Sequence, residues 1–239
     1  MRLARVGVTL LASVVLPAGA GELDRLQLLN QSEFRLLSED LGAALSYKAL
    51  IPTEPQGLSG FDVGVAVTNT SLRSPAILDK ASSGSDSFSS LTVPSLRLNK
   101  GLPFGFDVGV ALSTVPGTSI RSWGGELRYS FIAGNTVLPA IGLRGSYSKV
   151  TGVDQLDFDS KGLDLSISKG FLIFTPYGGV GRTWVSSSAR GVGSLASESF
   201  GLNRVFVGLN VNFGLLNVAV EADRTGSANT FGGKVGFRF

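Results

Sequence analysis

The residues of this sequence best able to do chemistry are serines, lysines and acids, because the chain contains no histidine and no cysteine. The spacing S-x-x-K, which can pair a serine nucleophile with a lysine base, occurs at Ser146–Lys149 and at Ser166–Lys169. Both matches lie along segments that alternate like β-strands, where residues three apart point to opposite faces. A serine and a lysine on opposite faces cannot share a proton, so we expect no catalytic residue at either place.

A metal site would have to use oxygen ligands, since thiolates and imidazoles are absent. The acids gather at Asp154, Asp157 and Asp159, without a glycine-bearing calcium-loop motif. We expect this stretch to be a solvated polar loop. Histidine is also the side chain whose pKa suits proton transfer near neutrality. The sequence therefore predicts no enzyme activity, no metal site and no cofactor.

The first twenty residues, Met1–Ala20, have the pattern of a secretory signal peptide. Arg2 and Arg5 precede the apolar stretch Val6–Leu16, and small residues follow up to Ala20. The apolar stretch is shorter than the roughly 20 residues of a membrane-spanning helix. Cleavage after Ala20 removes two arginines and no acid, which takes the formal net charge from +3 to +1. The mature charge gives no reason to expect a nucleic-acid partner.

The composition favours a membrane protein built from strands. Hydrophobic residues make up 43% of the chain and charged residues 16%, against roughly 25% charged residues in an average soluble domain. After the first twenty residues, no apolar run is long enough for a transmembrane helix. Apolar content that is spread in alternation is typical of transmembrane β-barrels.

Apolar and polar residues alternate with a period of two in ten segments, as in strands with two different faces. The segments are 61–68, 91–99, 104–113, 126–131, 141–148, 163–168, 175–185, 205–213, 216–223 and 229–239. Two are irregular. The apolar residues of 91–99 change faces near Pro94, which predicts a β-bulge there. In 175–185, Arg182 shares a face with Val180 and Trp184.

The last segment, Asn229–Phe239, places Phe231, Val235, Phe237 and Phe239 on one face. It resembles the closing strand of Gram-negative outer-membrane β-barrels of the small porin-like or OmpA/OmpW-like class. In that class a terminal Phe belongs to the assembly signal. The resemblance implies that Val235, Phe237 and Phe239 form this signal and that the barrel-assembly machinery and outer-membrane lipid are partners. It also implies a location in the cell outer membrane.

The connections between segments are sorted by length, as in outer-membrane barrels. If Phe239 is periplasmic, four short turns lie on its side, and mostly longer loops rich in serine and glycine lie on the other. The turns are 99–103, 133–136, 169–171 and 214–215; the loops are 70–90, 115–118, 151–156, 186–199 and 225–228. We therefore predict an all-β fold, a transmembrane antiparallel up-and-down barrel of about ten strands over residues 56–239, with twelve strands as the alternative.

Residues 21–55 fit two structures. Alternation over 41–49 would suit an additional strand, and twelve strands would need another near Gln31–Leu37. The same region also reads as an amphipathic helix, with Asn30 and Glu33 as a capping box and Phe34, Leu37 and Leu41 on one face. We prefer a helix that enters the barrel lumen as a plug or lies at the periplasmic rim.

Charged residues on the polar faces of the strands would point into the lumen. They are Asp62, Asp107, Glu126, Arg128, Arg144, Asp164, Glu221, Asp223, Lys234 and Arg238. These charges either pair to fill a closed interior or line an aqueous path. We expect passive passage of small solutes through a narrow or gated lumen. The alternative is a closed structural or surface-interaction barrel that binds partners through loops 70–90 and 186–199. The sequence leaves the oligomeric state open.

The proposed assembly signal predicts a defect that appears in cells only. Deleting Phe239 should lower the amount of folded barrel in the outer membrane several-fold, whereas refolding of the purified chain in detergent should be unchanged. Phe131→Ala, which removes a phenylalanine from an earlier strand, is the control. The shift between folded and unfolded bands on unheated gels measures both. Equal losses for the two variants in cells would contradict a role for the terminal residue.

Overall fold

The computed structural model describes residues 23–83 and 89–239. The predicted signal peptide therefore lies outside the described residues. None of the described helices has the length and apolar character needed to cross a membrane.

Ten strands form one closed antiparallel barrel, which confirms the predicted fold class. The strands are β1 (Phe61–Ser71), β2 (Ser90–Gly101), β3 (Phe106–Thr114), β4 (Arg121–Ile132), β5 (Ala140–Thr151), β6 (Leu156–Ser168), β7 (Phe174–Ala189), β8 (Glu198–Phe213), β9 (Leu216–Thr225) and β10 (Ala228–Arg238).

The barrel closes where the first strand meets the last. β1 pairs with β10 in an unbroken register from Asp62 opposite Arg238 to Thr70 opposite Thr230, and every other pair joins sequence neighbours. Phe61 and Phe239 exchange backbone hydrogen bonds and stack their rings at 5.7 Å. No strand edge is left unpaired, as a lipid environment requires.

The two ends of the barrel carry different connections. The end at which Phe61 and Phe239 lie, here called the inner end, has the connections 102–105, 133–139, 169–173 and 214–215. The opposite, outer end has 72–89, 115–120, 152–155, 190–197 and 226–227. The loop 72–89 contains a short helix, α2 (Pro75–Ala81). The strand directions therefore match those expected from the sequence.

The bulge predicted at Pro94 is absent. Pro94 lies opposite Val67 in a continuous register between β1 and β2. Leu96 and Leu98 point outward, whereas Leu91 and Val93 point inward and are buried. The apolar residues change faces because the lumen itself is apolar near the outer end. The environment of the strand changes there, while its pairing does not.

The N-terminal segment lies inside the barrel. It comprises a 3-10 turn at Leu26–Leu28, the helix α1 (Gln31–Leu45) and an irregular stretch 46–60 that leads into β1. The predicted capping box is present, because the Asn30 side chain accepts from the Glu33 N–H and the Glu33 carboxylate accepts from the Asn30 N–H. Helix α1 contacts strands on different sides of the wall (β1, β2, β7, β8 and β10), so it lies within the lumen.

Two alternatives for this segment are wrong. The described part of the chain forms ten strands, and Gln31–Leu37 belongs to α1, so a twelve-stranded barrel is excluded. A position at the periplasmic rim is also excluded, because α1 contacts outer-end residues such as Arg73 and Glu198. The helix is favoured over a strand because its apolar face completes an apolar interior.

The fold predicts that truncation lowers stability by different amounts at two apolar positions of β6. Phe158 is 1% exposed inside the lumen, whereas Leu163 points outward. Phe158→Ala should leave a cavity and lower the free energy of unfolding by about 3–5 kcal/mol. Leu163→Ala, the control, removes a lipid-facing group and should cost much less. Urea unfolding in lipid vesicles measures both, and equal losses would contradict the packed apolar interior.

Candidate functional site: the filled lumen

The outer third of the lumen is apolar. Phe34, Leu37 and Leu41 of α1 pack with buried residues that point inward from the strands and with Leu78 of α2. The strand residues of this cluster are Leu91, Val93, Val150, Leu156, Phe158, Val185 and Leu202. Full burial of one such side chain stabilises a fold by about 1.5–3 kcal/mol. The cluster therefore holds α1 firmly in the outer mouth.

Polar contacts hold residues 73–80 of the outer loop against α1. The Asp40 carboxylate accepts from the backbone N–H groups of Arg73 and Ser74, at 2.9 and 2.8 Å, just before α2. Burial raises the pKa of Asp40, and these two N–H groups oppose that rise. Lys80 of α2 donates to Glu33 at 2.8 Å, and this contact lowers the pKa of the Glu33 carboxyl. Loop and helix form one outer cap.

The hairpin β7–β8 joins the cap from the other side. Arg35 of α1 donates to Glu198 at 3.0 Å and lies 3.8 Å above the ring centre of Phe200. Gln31 bonds the backbone of Ala196 in both directions, through its amide nitrogen and its amide oxygen. The start of α1 is therefore anchored at the outer surface.

Below the apolar region, hydroxyl-bearing side chains surround the end of α1. Ser46 and Lys48 face a cavity of about 20 Å³, which is room for one water molecule. The hydroxyl groups lining it are those of Thr68, Ser95, Ser113, Ser122 and Ser148, from five neighbouring strands. This level separates the apolar mouth from the charged region.

All ten charged residues predicted to face the lumen lie on the inner surface of the barrel. Nine of them are buried, and Arg238 lies on the same face at the inner end. Lys234 pairs with Asp62 at 2.7 Å. Arg128 pairs with Asp107 at 3.1 Å, and Arg144 pairs with Asp164 at 2.5 Å. The interior is thus a network of paired charges.

Three further cations complete the network and were missed from the sequence. Lys48 of the N-terminal segment pairs with Asp223 at 2.5 Å. Arg204 contacts Asp223 and Glu221 and donates to the Tyr47 carbonyl at 3.0 Å. Arg97 donates to the carbonyl of Lys48. Arg204 shares the face of Asn210, which could have revealed it, whereas the parity change in β2 concealed Arg97.

The lower part of the segment is held by neutral hydrogen bonds. Thr53 donates to Ser166 at 2.9 Å and accepts at its carbonyl from Ser130 at 2.6 Å. The Gln56 N–H donates to Asp107 at 3.0 Å. Segment 46–60 thus contacts strands on several sides as it descends to the inner end.

Glu126 is the buried acid with the weakest contacts. Its two oxygens lie 3.9 Å from Arg128 Nη1 and 3.8 Å from Arg144 Nε, and neither accepts a hydrogen bond from a described residue. The Tyr47 hydroxyl nearby is also without a hydrogen-bond partner in the described structure. Buried polar atoms of this kind are commonly satisfied by water.

At neither S-x-x-K match does the structure place the serine beside the lysine. Ser146 points into the lumen towards Gly162, whereas Lys149 pairs with Asp157 near the outer rim. Ser166 bonds Thr53, whereas Lys169 donates to backbone carbonyls of the inner connection 133–139. Among the described residues, no group of three or more potential metal ligands is gathered.

The network predicts unequal effects for two cations that contact Asp223. Arg204→Met should lower the free energy of unfolding by about 3–5 kcal/mol, because Glu221 and Asp223 lose a buried partner. Lys48→Met should cost clearly less, since Asp223 keeps Arg204. Urea unfolding in vesicles measures both variants. A larger loss for Lys48→Met would contradict the central position given to Arg204.

No protein-family model matches the sequence, and no curated protein matches it. Three solved structures illustrate the similarity in fold. The N-terminal β-barrel domain of Pseudomonas aeruginosa OprF has a TM-score of 0.39 and 14% identity, covering 77% of this chain and 100% of that one. The KdgM porin has a TM-score of 0.37 and 11% identity, covering 74% and 99%.

Ail, the attachment invasion locus protein of Yersinia pestis, has a TM-score of 0.31 and 16% identity, covering 75% of this chain and 97% of that one. The fold of the present chain rests on its own geometry, namely a closed sheet, an apolar outer wall and a polar, filled lumen. It is a ten-stranded antiparallel up-and-down β-barrel whose lumen is filled by its own N-terminal segment.

Proposed function

We propose that this protein acts in the outer membrane as a barrel that is closed at rest by its own N-terminal segment and presents an outer cap for interaction with partners. The observation that carries the proposal is the filling of the lumen. Residues 23–60 run from the outer mouth to the inner end, and the cavity beside the end of α1 has room for a single water. This segment therefore occupies the lumen that a solute would have to cross.

The free energy of burying apolar side chains in the outer mouth argues against frequent displacement of the segment. Seven large apolar side chains of residues 23–45 are at most 6% exposed: Leu23, Leu26, Leu29, Phe34, Leu37, Leu41 and Leu45. At about 1.5–3 kcal/mol each, their exposure would cost at least about 10 kcal/mol. Such a cost corresponds to roughly one displaced molecule in 10⁷. A freely open pore is therefore not the resting state.

The outer cap supports the interaction role. Residues 72–83 of the loop after β1 meet the connection 190–197 and the start of α1 at one surface, through the contacts of Lys80 with Glu33 and of Gln31 with Ala196. These are parts of the two loops expected from the sequence to bind partners. A packed cap offers a pre-ordered surface, which lowers the entropic cost of binding.

Passage of small solutes is the second candidate, and the lower lumen favours it. Below Ser46 the wall carries hydroxyl and charged groups, and the segment is held there by hydrogen bonds that water could replace. Passage would then require displacement of α1. The outward movement of α1 would open the outer mouth, and residues 46–60 would then have to exchange their hydrogen bonds with the wall for bonds to water.

Conductance in planar bilayers separates the two roles. The chain from residue 21 onward should show no steady openings. Leu37→Asp places a charge in the apolar mouth and should produce openings only if displacement creates a path. Leu36→Asp is the matched control, because Leu36 is 40% exposed on the same helix. Steady openings of the unmodified chain would overturn the closed barrel.

Deleting residues 22–48 tests the solute path directly. If the refolded deletion variant conducts, the wall encloses a continuous path that the segment blocks, and the gated role gains support. If it remains silent while its gel mobility shows a folded barrel, movement of α1 alone does not create a path, and the gated role loses its support. Loss of binding to cell-surface material after trimming 76–88, with folding unchanged, would support the interaction role.

A further inference from the structure

The apolar outer wall ends at a polar residue on every strand. Following each strand from the inner end, the outward residues are mostly apolar until one polar side chain is reached towards the outer end. These residues are Asn69, Thr92, Thr114, Arg121, Lys149, Lys161, Arg182, Asn203, Arg224 and Asn229, one for each strand from β1 to β10. They mark one border of the band that contacts lipid.

The border is charged on one side of the barrel only. On β4 to β7 and on β9 the residue is a cation, whereas on β8, β10 and β1 to β3 it is neutral. Lys149 is paired with Asp157. The other four, Arg121, Lys161, Arg182 and Arg224, are exposed, and within the described chain their side chains have no hydrogen bond or ion pair. They form the cationic arc.

A groove in the outer wall lies beside this arc and includes Lys161 in its lining. Gly125 and Gly145 point outward and leave a depression of about 560 Å³ between β4, β5 and β6. A side chain on Gly145 would meet no atom within 4 Å. Trp123 and Tyr147, whose ring centres are 5.6 Å apart, line the groove, and Lys161 lies at its edge.

Arg182 lies beside this edge. Lys161 is opposite Trp184, and Leu163 is opposite Arg182, so Lys161 and Arg182 are diagonal neighbours on β6 and β7. The guanidinium of Arg182 extends over Gly201 of β8, where a larger residue would collide with it. Two cations that lack protein partners thus lie on neighbouring strands beside an apolar groove, and Arg182 would turn from β8 towards β6 to share a ligand with Lys161.

We propose that the groove and the cationic arc bind a phosphorylated lipid of the outer leaflet. Its acyl chain lies in the groove against the rings of Trp123 and Tyr147, and its phosphate receives hydrogen bonds from Lys161 and Arg182. This inference rests on the proposed outer-membrane location. Phosphate suits the site because it accepts several charge-assisted hydrogen bonds at once, including a bidentate pair from arginine.

The position of the arc indicates a lipid as the source of the phosphate. A cation on the outer wall is costly at mid-membrane and tolerated near the headgroups. A lipid supplies an anion for the cations and an apolar chain for the adjoining groove, whereas free phosphate would leave the groove empty. The neutral border on β10 to β3 predicts that binding occurs on one side of the barrel.

Native mass spectrometry of the detergent-refolded chain tests this site, with diphosphorylated lipid A and its dephosphorylated form as probes. The phosphorylated form should bind at least about tenfold more tightly. The double variant K161Q/R182Q should lose most of that preference. The control K169Q/R190Q removes one half-buried and one exposed cation away from the groove and should keep it. Unheated gels verify that each variant is folded.

Gly145→Leu, which fills the groove and keeps both cations, should weaken binding of both lipid forms. Equal binding of the two forms to the unmodified chain would overturn the proposal, as would an equal loss in the control variant. Displacement of the lipid by equimolar inorganic phosphate would show an anion site without lipid specificity and would also overturn it. None of these outcomes bears on conductance, so failure here leaves the closed barrel standing.

Discussion

Closure of the sheet is the constraint on which the rest of this structure depends. In lipid, every backbone N–H and C=O of the wall must be paired, and pairing of β1 with β10 meets that requirement. Closure by ten strands fixes the width of the lumen, and the chain fills that lumen with its own residues 23–60. The side chains of the wall and of the segment inside it must therefore pack against each other.

The segment matches the wall level by level. At the outer mouth, α1 buries apolar side chains against Phe158 and Val185. At the level of Lys48, the wall arginines donate to backbone carbonyls of the segment, so a chain without regular hydrogen bonds is satisfied there. Buried ion pairs contribute little net stability but penalise mispairing. We attribute the strength with which α1 closes the lumen to the apolar contacts at the outer mouth. We attribute the selection of a single arrangement of the segment to the charged network.

The wall could be predicted from the sequence because alternation of apolar and polar residues with a period of two shows directly which side chains of a strand point outward. This worked for all ten strands and for inward charges such as Asp107 and Lys234. It failed at Pro94, where apolar residues point inward because α1 covers them. The path of residues 46–60 was also beyond prediction, because a stretch without regular structure has no periodicity and is positioned by contacts distant in sequence, such as Lys48 with Asp223.

The position of the N-terminal segment can be measured by labelling single cysteines, since the natural chain has none. Leu28 precedes α1 at the outer end and is 52% exposed. Leu28→Cys should react with a bulky membrane-impermeant maleimide in intact cells, as should Ser227→Cys in an outer turn. Leu215→Cys, in an inner turn, should react only after the outer membrane is opened. Labelling of Leu28→Cys only in opened cells would contradict a segment that fills the lumen from the outer mouth to the inner end.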